Sequence, residues 1–171
     1  MLKKGEKNMA SAAARPGVTE FSIASDTQVR FVRVVNAPRR LVFEAYTRPE
    51  HLKQWLLGPE GWTMPICEME PRAGGKWRYG WRKADGAEMI MGGIVKEFVP
   101  HERISTTEQW GPEWPETLNT VTFTEANGMT TITTTVTYPS KDARDAALKT
   151  GMRDGMEPSY ARLDQLLETL R

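Results

Sequence analysis

Glu68, Glu70, Glu88, Glu97 and Glu108 fall in stretches that read as β-strands, so each could set a carboxylate in a cavity. A glutamate buried there would have a raised pKa and could act as a general acid or base. The five are scattered over four strands and specify no pair, and alternate strand residues usually face water. Nucleophilic chemistry needs a nucleophile beside a base. Cys67, the single cysteine, lies between Ile66 and Glu68 on a strand and reads as a small buried hydrophobe. His51 follows Pro49-Glu50 at a helix start, and His101 sits in a turn, so both read as surface residues. A metal centre needs clustered ligands, and these two histidines and the cysteine are far apart in sequence. No metal and no cofactor are expected.

Binding chemistry has a clearer signature. Residues 74–81 read Gly-Gly-Lys-Trp-Arg-Tyr-Gly-Trp. In a strand, Trp77, Tyr79 and Trp81 share one face, and Lys76, Arg78 and Arg82 share the other. Met89 and Met91 follow at the same period after a turn at Ala84-Asp85-Gly86. Met152, Met156 and Tyr160 come from a helical segment near the carboxy terminus. Such a surface either fills a core or walls a ligand pocket. The chain holds nine Met and six Trp, and several fall on these same surfaces, which favours an adaptable apolar pocket. Trp110 and Trp114 flank Gly111-Pro112-Glu113 in a loop, where they cap a cavity mouth, form a local cluster or offer a partner surface.

The elements that position these residues can be read from periodicity. Residues 1–25 are polar and small and read as a flexible extension, with Met9 an alternative start to Met1. A single domain over residues 26–171 follows. Residues 27–35 are rich in β-branched side chains and read as the first strand. Asn36 is placed to cap the next helix, with Pro38 in its first turn. Two short helices carry Leu41, Val42 and Ala45, then Leu52, Trp55 and Leu56. Strands are expected at residues 76–82, 88–98, 103–110, 117–125 and 130–138, with a brief extra one near 67–70. Asp85-Gly86 and Asn127-Gly128 mark tight turns, so the strands form an antiparallel meander. Gly92-Gly93 inside a strand points to close packing or a bulge. From residue 141 the pattern turns helical, interrupted at Gly151, Gly155 and Pro158. Residues 149–158 are then either a gate that moves to admit ligand or a place where glycines let the helix approach the sheet. The fold class is α+β: a curved antiparallel sheet of about six to seven strands around a long C-terminal helix.

Composition sets outer bounds. A chain of 171 residues with 39% hydrophobic and 26% charged residues suits one globular domain. A net charge of +1 gives no electrostatic reason to expect nucleic acid. No apolar run is long enough for a membrane span, and no signal peptide core follows Lys3, Lys4 and Lys7, so the cytoplasm is the expected compartment. The oligomeric state is open.

Taken together, residues 38–55 (PRRLVFEAYTRPEHLKQW), 58–62 (GPEGW), 68–79 (EMEPRAGGKWRY) and 93–100 (GIVKEFVP), with Arg103-Ile104 and the tail 151–167, resemble a known family. The likeness spans residues 27–170. The chain is similar to the SRPBCC (START-like) superfamily, and within it to homologues of the carboxy-terminal domain of the activator of the ninety-kilodalton heat-shock-protein ATPase. The resemblance implies a helix-grip fold with a hydrophobic cavity between sheet and helix. It implies no universal catalytic residues. Relatives bind lipids and other apolar molecules, cyclise polyketides or assist the chaperone.

The expected function is therefore binding of a small hydrophobic molecule, aromatic or lipid-like. Trp55, Trp77, Tyr79, Trp81, Met89, Met91, Trp110, Met152, Met156 and Tyr160 are the expected ligand-binding residues, with Tyr79 and Tyr160 giving polar orientation. Two alternatives stand beside it. One is a protein–protein module accessory to chaperones or the stress response. The other is a cyclase-like or hydrolase-like enzyme, which a buried Glu108 or Glu97 pointing into the cavity would favour.

Overall fold

Eight strands make one antiparallel sheet in the computed structural model, which describes residues 15–171. In chain order they are β1 (Thr19–Ser25), β2 (Gln28–Val35), β3 (Trp62–Met69), β4 (Lys76–Lys83), β5 (Glu88–Val99), β6 (Arg103–Glu108), β7 (Thr117–Ala126) and β8 (Met129–Thr137). The order across the sheet is β1-β2-β8-β7-β6-β5-β4-β3, so the first and last thirds of the chain meet where β2 pairs with β8. Two helices, α1 (Arg39–Thr47) and α2 (Pro49–Trp55), fill the connection between β2 and β3. Three more, α3 (Lys141–Leu148), α4 (Met152–Gly155) and α5 (Glu157–Thr169), follow β8. This is the helix-grip architecture. Among the described residues, no helix is long and apolar enough to cross a membrane.

The local reasons are ordinary. β2 buries Val29, Phe31, Arg33 and Val35 at period two. α5 buries Tyr160, Leu163, Leu166 and Leu167 at helical spacing. Arg33 is the charged member of the inward face of β2. Its guanidinium bonds Asp164 at 2.5 Å and Thr19 at 2.7 Å and lies 5.3 Å from the ring centre of Tyr160. That ties β2 to α5 by charge as well as by apolar area.

Four local expectations change. An extension to residue 25 is too long, because β1 pairs with β2 in register and Phe21 meets Phe31 edge-on at 5.1 Å. Residues 1–14, including Met9, lie outside the described residues, and residues 15–18 lead into β1, with Gly17 donating to the Val34 carbonyl at 3.2 Å. The brief strand near 67–70 is the end of β3, which begins at Trp62; Pro65 interrupts its pairing between Thr63 and Ile66, which an edge strand tolerates. Asn36 does not cap α1. The cap position is Pro38, and the free N–H of Arg39 instead donates to Glu125 on β7 at 3.0 Å. Gly151 and Gly155 do not mark a close helix–sheet approach, since a methyl group at either would meet nothing within 4 Å. Gly151 breaks the helix through its φ of +79°, and Pro158 sits in the first turn of α5, where its missing N–H costs nothing.

Gly92 and Gly93 do serve close packing. β5 pairs with β4 up to Ile94 and with β6 from Val95 onward. At this changeover a methyl on Gly93 would lie 2.7 Å from the Thr107 carbonyl carbon, and one on Gly92 would lie 2.8 Å from the Trp77 carbonyl oxygen.

Candidate functional site

A cavity of about 590 Å³ lies between the inner sheet face and the helical segment that follows β8. On one side it meets the main core through Leu52, Trp55, Trp77, Tyr79, Trp81, Met91 and Tyr160. On the other it meets a smaller cluster through Phe31, Val136 and Tyr138, covered by Ala143 and Ala147 of α3. Trp55, Trp77, Tyr79, Trp81, Met89, Met91, Trp110, Met152, Met156 and Tyr160 all line it.

Strand alternation aims the aromatic wall inward. Trp77, Tyr79 and Trp81 on β4 are each only 5% exposed. Trp77 meets Tyr79 edge-on at 4.9 Å and Tyr79 meets Trp81 at 6.2 Å, while Trp110 stacks on Trp81 at 5.7 Å. The indole N–H groups find backbone acceptors: Trp55 donates to the Ala45 carbonyl at 2.9 Å, Trp77 to Thr107 at 3.0 Å and Trp81 to Leu56 at 2.7 Å. These bonds hold the rings in place and leave their hydrocarbon faces for packing. Met89 and Trp110 remain partly exposed at the rim, and Trp114 also lines the cavity.

The helical roof is held at one end. Gly58, just after α2, donates to Ser159 at 2.8 Å and accepts from Arg162 at 2.7 Å. Thr150, Gly151, Met152, Gly155 and Met156 close the remainder, and α4 contains no buried residue. The Tyr138 hydroxyl meets the Met152 sulfur at 3.3 Å.

The cavity has few polar groups. The phenols are pushed up by burial, Tyr138 and Tyr160 to about 12, and Tyr46 and Tyr79 are raised as well, so all four stay neutral. Thr134 works against the upward shift at Tyr160, which burial dominates. Glu108 is the exception. It is 9% exposed on β6, with Oε1 accepting from the Trp110 indole at 2.6 Å and Oε2 from the Asn119 amide at 3.1 Å. Burial raises its pKa, against the opposing effect of the two hydrogen bonds.

The other chemical candidates stand apart. Glu97 pairs with Arg103 at 3.2 Å in a solvent-exposed position. Glu70 pairs with Arg72 at 3.3 Å and Glu88 with Arg82 at 2.7 Å, both on the surface, and Glu68 does not line the cavity. Cys67 is half-buried beside the main core, and desolvation pushes its thiol up to about 11, which leaves it unreactive. His101 meets Phe43 edge-on at 5.4 Å, outside the cavity. Among the described residues, no cluster of three or more His, Cys, Asp or Glu could hold a metal ion.

Thr106, Asn119, Tyr46 and Thr134 also line the cavity and were not anticipated. The β6–β7 register sets Thr106 opposite Asn119 and Glu108 opposite Thr117. Ile104, Thr106 and Glu108 share one period-two face, the one signal that pointed this way.

Known proteins agree with this architecture. A crystal structure of a protein from Rhodobacter sphaeroides matches with a TM-score of 0.84 at 30% identity, covering 90% of this chain and 100% of that one. One from Chromobacterium violaceum matches with a TM-score of 0.69 at 27% identity, covering 81% and 96%. One from Nitrosomonas europaea shares the fold, with a TM-score of 0.76 at 21% identity, covering 86% and 97%. No curated protein matches the chain. The family described as activator of Hsp90 ATPase homolog 1-like protein matches residues 36–168, and the chain belongs to that family.

Proposed function

We propose that the protein binds a small, mainly apolar molecule, aromatic or lipid-like, in the cavity between the sheet and the helices that follow β8. One observation carries this reading: ten large apolar or aromatic side chains from α2, β4, β5, the Trp110 loop, α4 and α5 converge on one cavity of about 590 Å³. That volume lies within the range of roughly 300–1,000 Å³ usual for ligand pockets. Burial of apolar ligand surface supplies the affinity, the pinned indoles fix the shape of one wall, and Met89, Met91, Met152 and Met156 adapt to the ligand.

Nile red, a neutral apolar dye, tests this. Binding should quench tryptophan fluorescence and enhance the dye's own emission. Met156→Trp fills part of the space beneath the roof and should weaken dye binding while the protein stays folded. Unchanged affinity in a folded Met156→Trp variant overturns this location.

A second reading is favoured by Glu108. A buried carboxyl whose pKa is raised by desolvation inside an apolar cavity is a candidate general acid or base, as a cyclase-like or hydrolase-like enzyme requires. Its hydrogen-bond partners are an indole and an amide, neither of them a nucleophile, so the chemistry would be proton transfer alone. Mass spectrometry of molecules co-purifying with the protein decides between the readings. Binding predicts an unchanged ligand on incubation with fresh protein, and catalysis predicts a product that Glu108→Gln does not form.

A further inference from the structure

We propose that the ligand carries a protonated amine, seated against Glu108, at one end of its apolar body. This rests on the cavity-binding reading and adds the chemical class of the molecule.

The argument begins with an imbalance of charge. Among the described residues that line the cavity, Glu108 is the only one of Asp, Glu, Lys, Arg or His. A buried carboxylate without a cation is costly, and native proteins normally pair it. The titratable groups that bear on it are the phenols of Tyr79 on β4 and Tyr138 just after β8, both neutral. No basic side chain contributes to the environment of Glu108; its influences are burial, Asn119 and Trp110.

There is a matching imbalance of hydrogen bonds. The carboxylate offers about four lone-pair directions, and two are used. Asn119 spends an N–H on Glu108, and its own Oδ1 is buried with no hydrogen-bond partner. One buried acceptor, Asn119 Oδ1, therefore lacks a donor, beside a carboxylate whose two oxygens each use only one of their lone pairs. Turning the Asn119 amide over would aim Oδ1 at the carboxyl, and that arrangement is satisfied only by a proton on Glu108. An ammonium group supplies both the missing charge and up to three N–H donors, and so replaces that proton. A hydroxyl supplies one donor and no charge.

The surroundings fit the same guest. Trp110, which donates to Glu108, stacks on Trp81, and Tyr79 meets Trp81 edge-on. Aromatic rings close to a carboxylate are a favourable setting for a cation stripped of water. The rest of the wall is apolar and would cover a hydrocarbon or aromatic body.

The test compares three probes of nearly equal shape: 2-(1-naphthyl)ethylamine, 2-(1-naphthyl)ethanol and 1-ethylnaphthalene. Affinities are measured calorimetrically with the full chain at pH 7.5. The amine should bind at least about tenfold tighter than the hydrocarbon, the order expected of a charge-assisted hydrogen bond. Glu108→Gln should lower amine affinity at least tenfold more than hydrocarbon affinity. A second measurement needs no variant: the wild-type preference for the amine should shrink on acidification as Glu108 takes up a proton. An amine that binds no tighter than the hydrocarbon overturns the proposal. So does an alcohol that matches the amine, or a preference that survives in folded Glu108→Gln. If none of the three binds, the cavity reading itself fails. If the hydrocarbon binds and the amine gains nothing, the cavity reading stands and only the cationic end is lost.

Discussion

Replacing Gly93 by alanine should loosen the aromatic wall from outside the cavity. The added methyl would fall 2.7 Å from both the carbonyl carbon and the Oγ1 of Thr107, and closer still to its carbonyl oxygen. That oxygen accepts the Trp77 indole bond, and that Oγ1 accepts the N–H of Ile94. The obstacle is backbone, so β6 itself must move, next to Glu108. Overpacking of this kind costs ~1–3 kcal/mol. Weakening the indole bond adds ~1 kcal/mol. The smaller freedom of alanine in the unfolded chain returns ~0.4–1 kcal/mol. The net loss is about 2 kcal/mol, which lowers the urea midpoint by about 1 M at a slope near 2 kcal/mol per M. Gly155→Ala is the matched control: its methyl meets nothing within 4 Å in a helical turn, so the same chemical change should stabilise by ~0.4–1 kcal/mol. Urea unfolding followed by tryptophan fluorescence measures both. A Gly93→Ala protein as stable as wild type, with an unchanged slope, would refute the claim that this glycine sets the β5–β6 approach.

Two further outcomes follow from the site. Because burial raises the Glu108 pKa in the folded protein, its protonated form contributes stability that is complete below the ordinary glutamate range. That contribution disappears as pH climbs through the raised value. The melting temperature of wild type relative to Glu108→Gln should therefore fall between acid and neutral pH, and a difference that is flat or rises would count against a desolvated carboxyl. Amide hydrogen exchange should be fast at residues 151–156, where α4 buries nothing, and slow at Leu163 and Leu167 in α5. Nile red should slow the first group if these residues gate the cavity; equal protection in both, unaffected by dye, removes the gate.

Much of the architecture was legible because period-two patterns are unambiguous when large residues carry them. Trp77, Tyr79 and Trp81 could share only one face, and β4 buries that face. β1 was hidden because Thr19–Ser25 is mostly exposed and shows little apolar alternation. β3 was curtailed because Pro65 argues against a strand unless the strand is known to lie at an edge. The glycines at 151 and 155 announced a break correctly, but proximity explains neither, and at Gly151 the reason is its left-handed backbone conformation. The placement of aromatic and methionine side chains around one space followed from composition and phase. The acceptor pair at Glu108 and Asn119 did not. It depends on the register between β6 and β7, and local sequence does not specify which of several strand glutamates meets an amide across the ladder.

The pairing of β2 with β8 bears on how the chain is made. Val35 lies opposite Thr130, and Arg33 reaches Asp164, so this strand pair and its helix join segments about a hundred residues apart. On a ribosome moving at roughly 5–20 residues per second, β2 leaves the exit channel several seconds before its neighbour is synthesised. During that wait its Val-Arg-Phe-Val-Arg-Val-Val run has only β1 for company, and an unpaired edge of this kind invites strands from other chains. Arg30 and Arg33 interrupt that run and act as gatekeepers on the nascent polypeptide. Arg33 thus guards the strand before folding and anchors α5 after it.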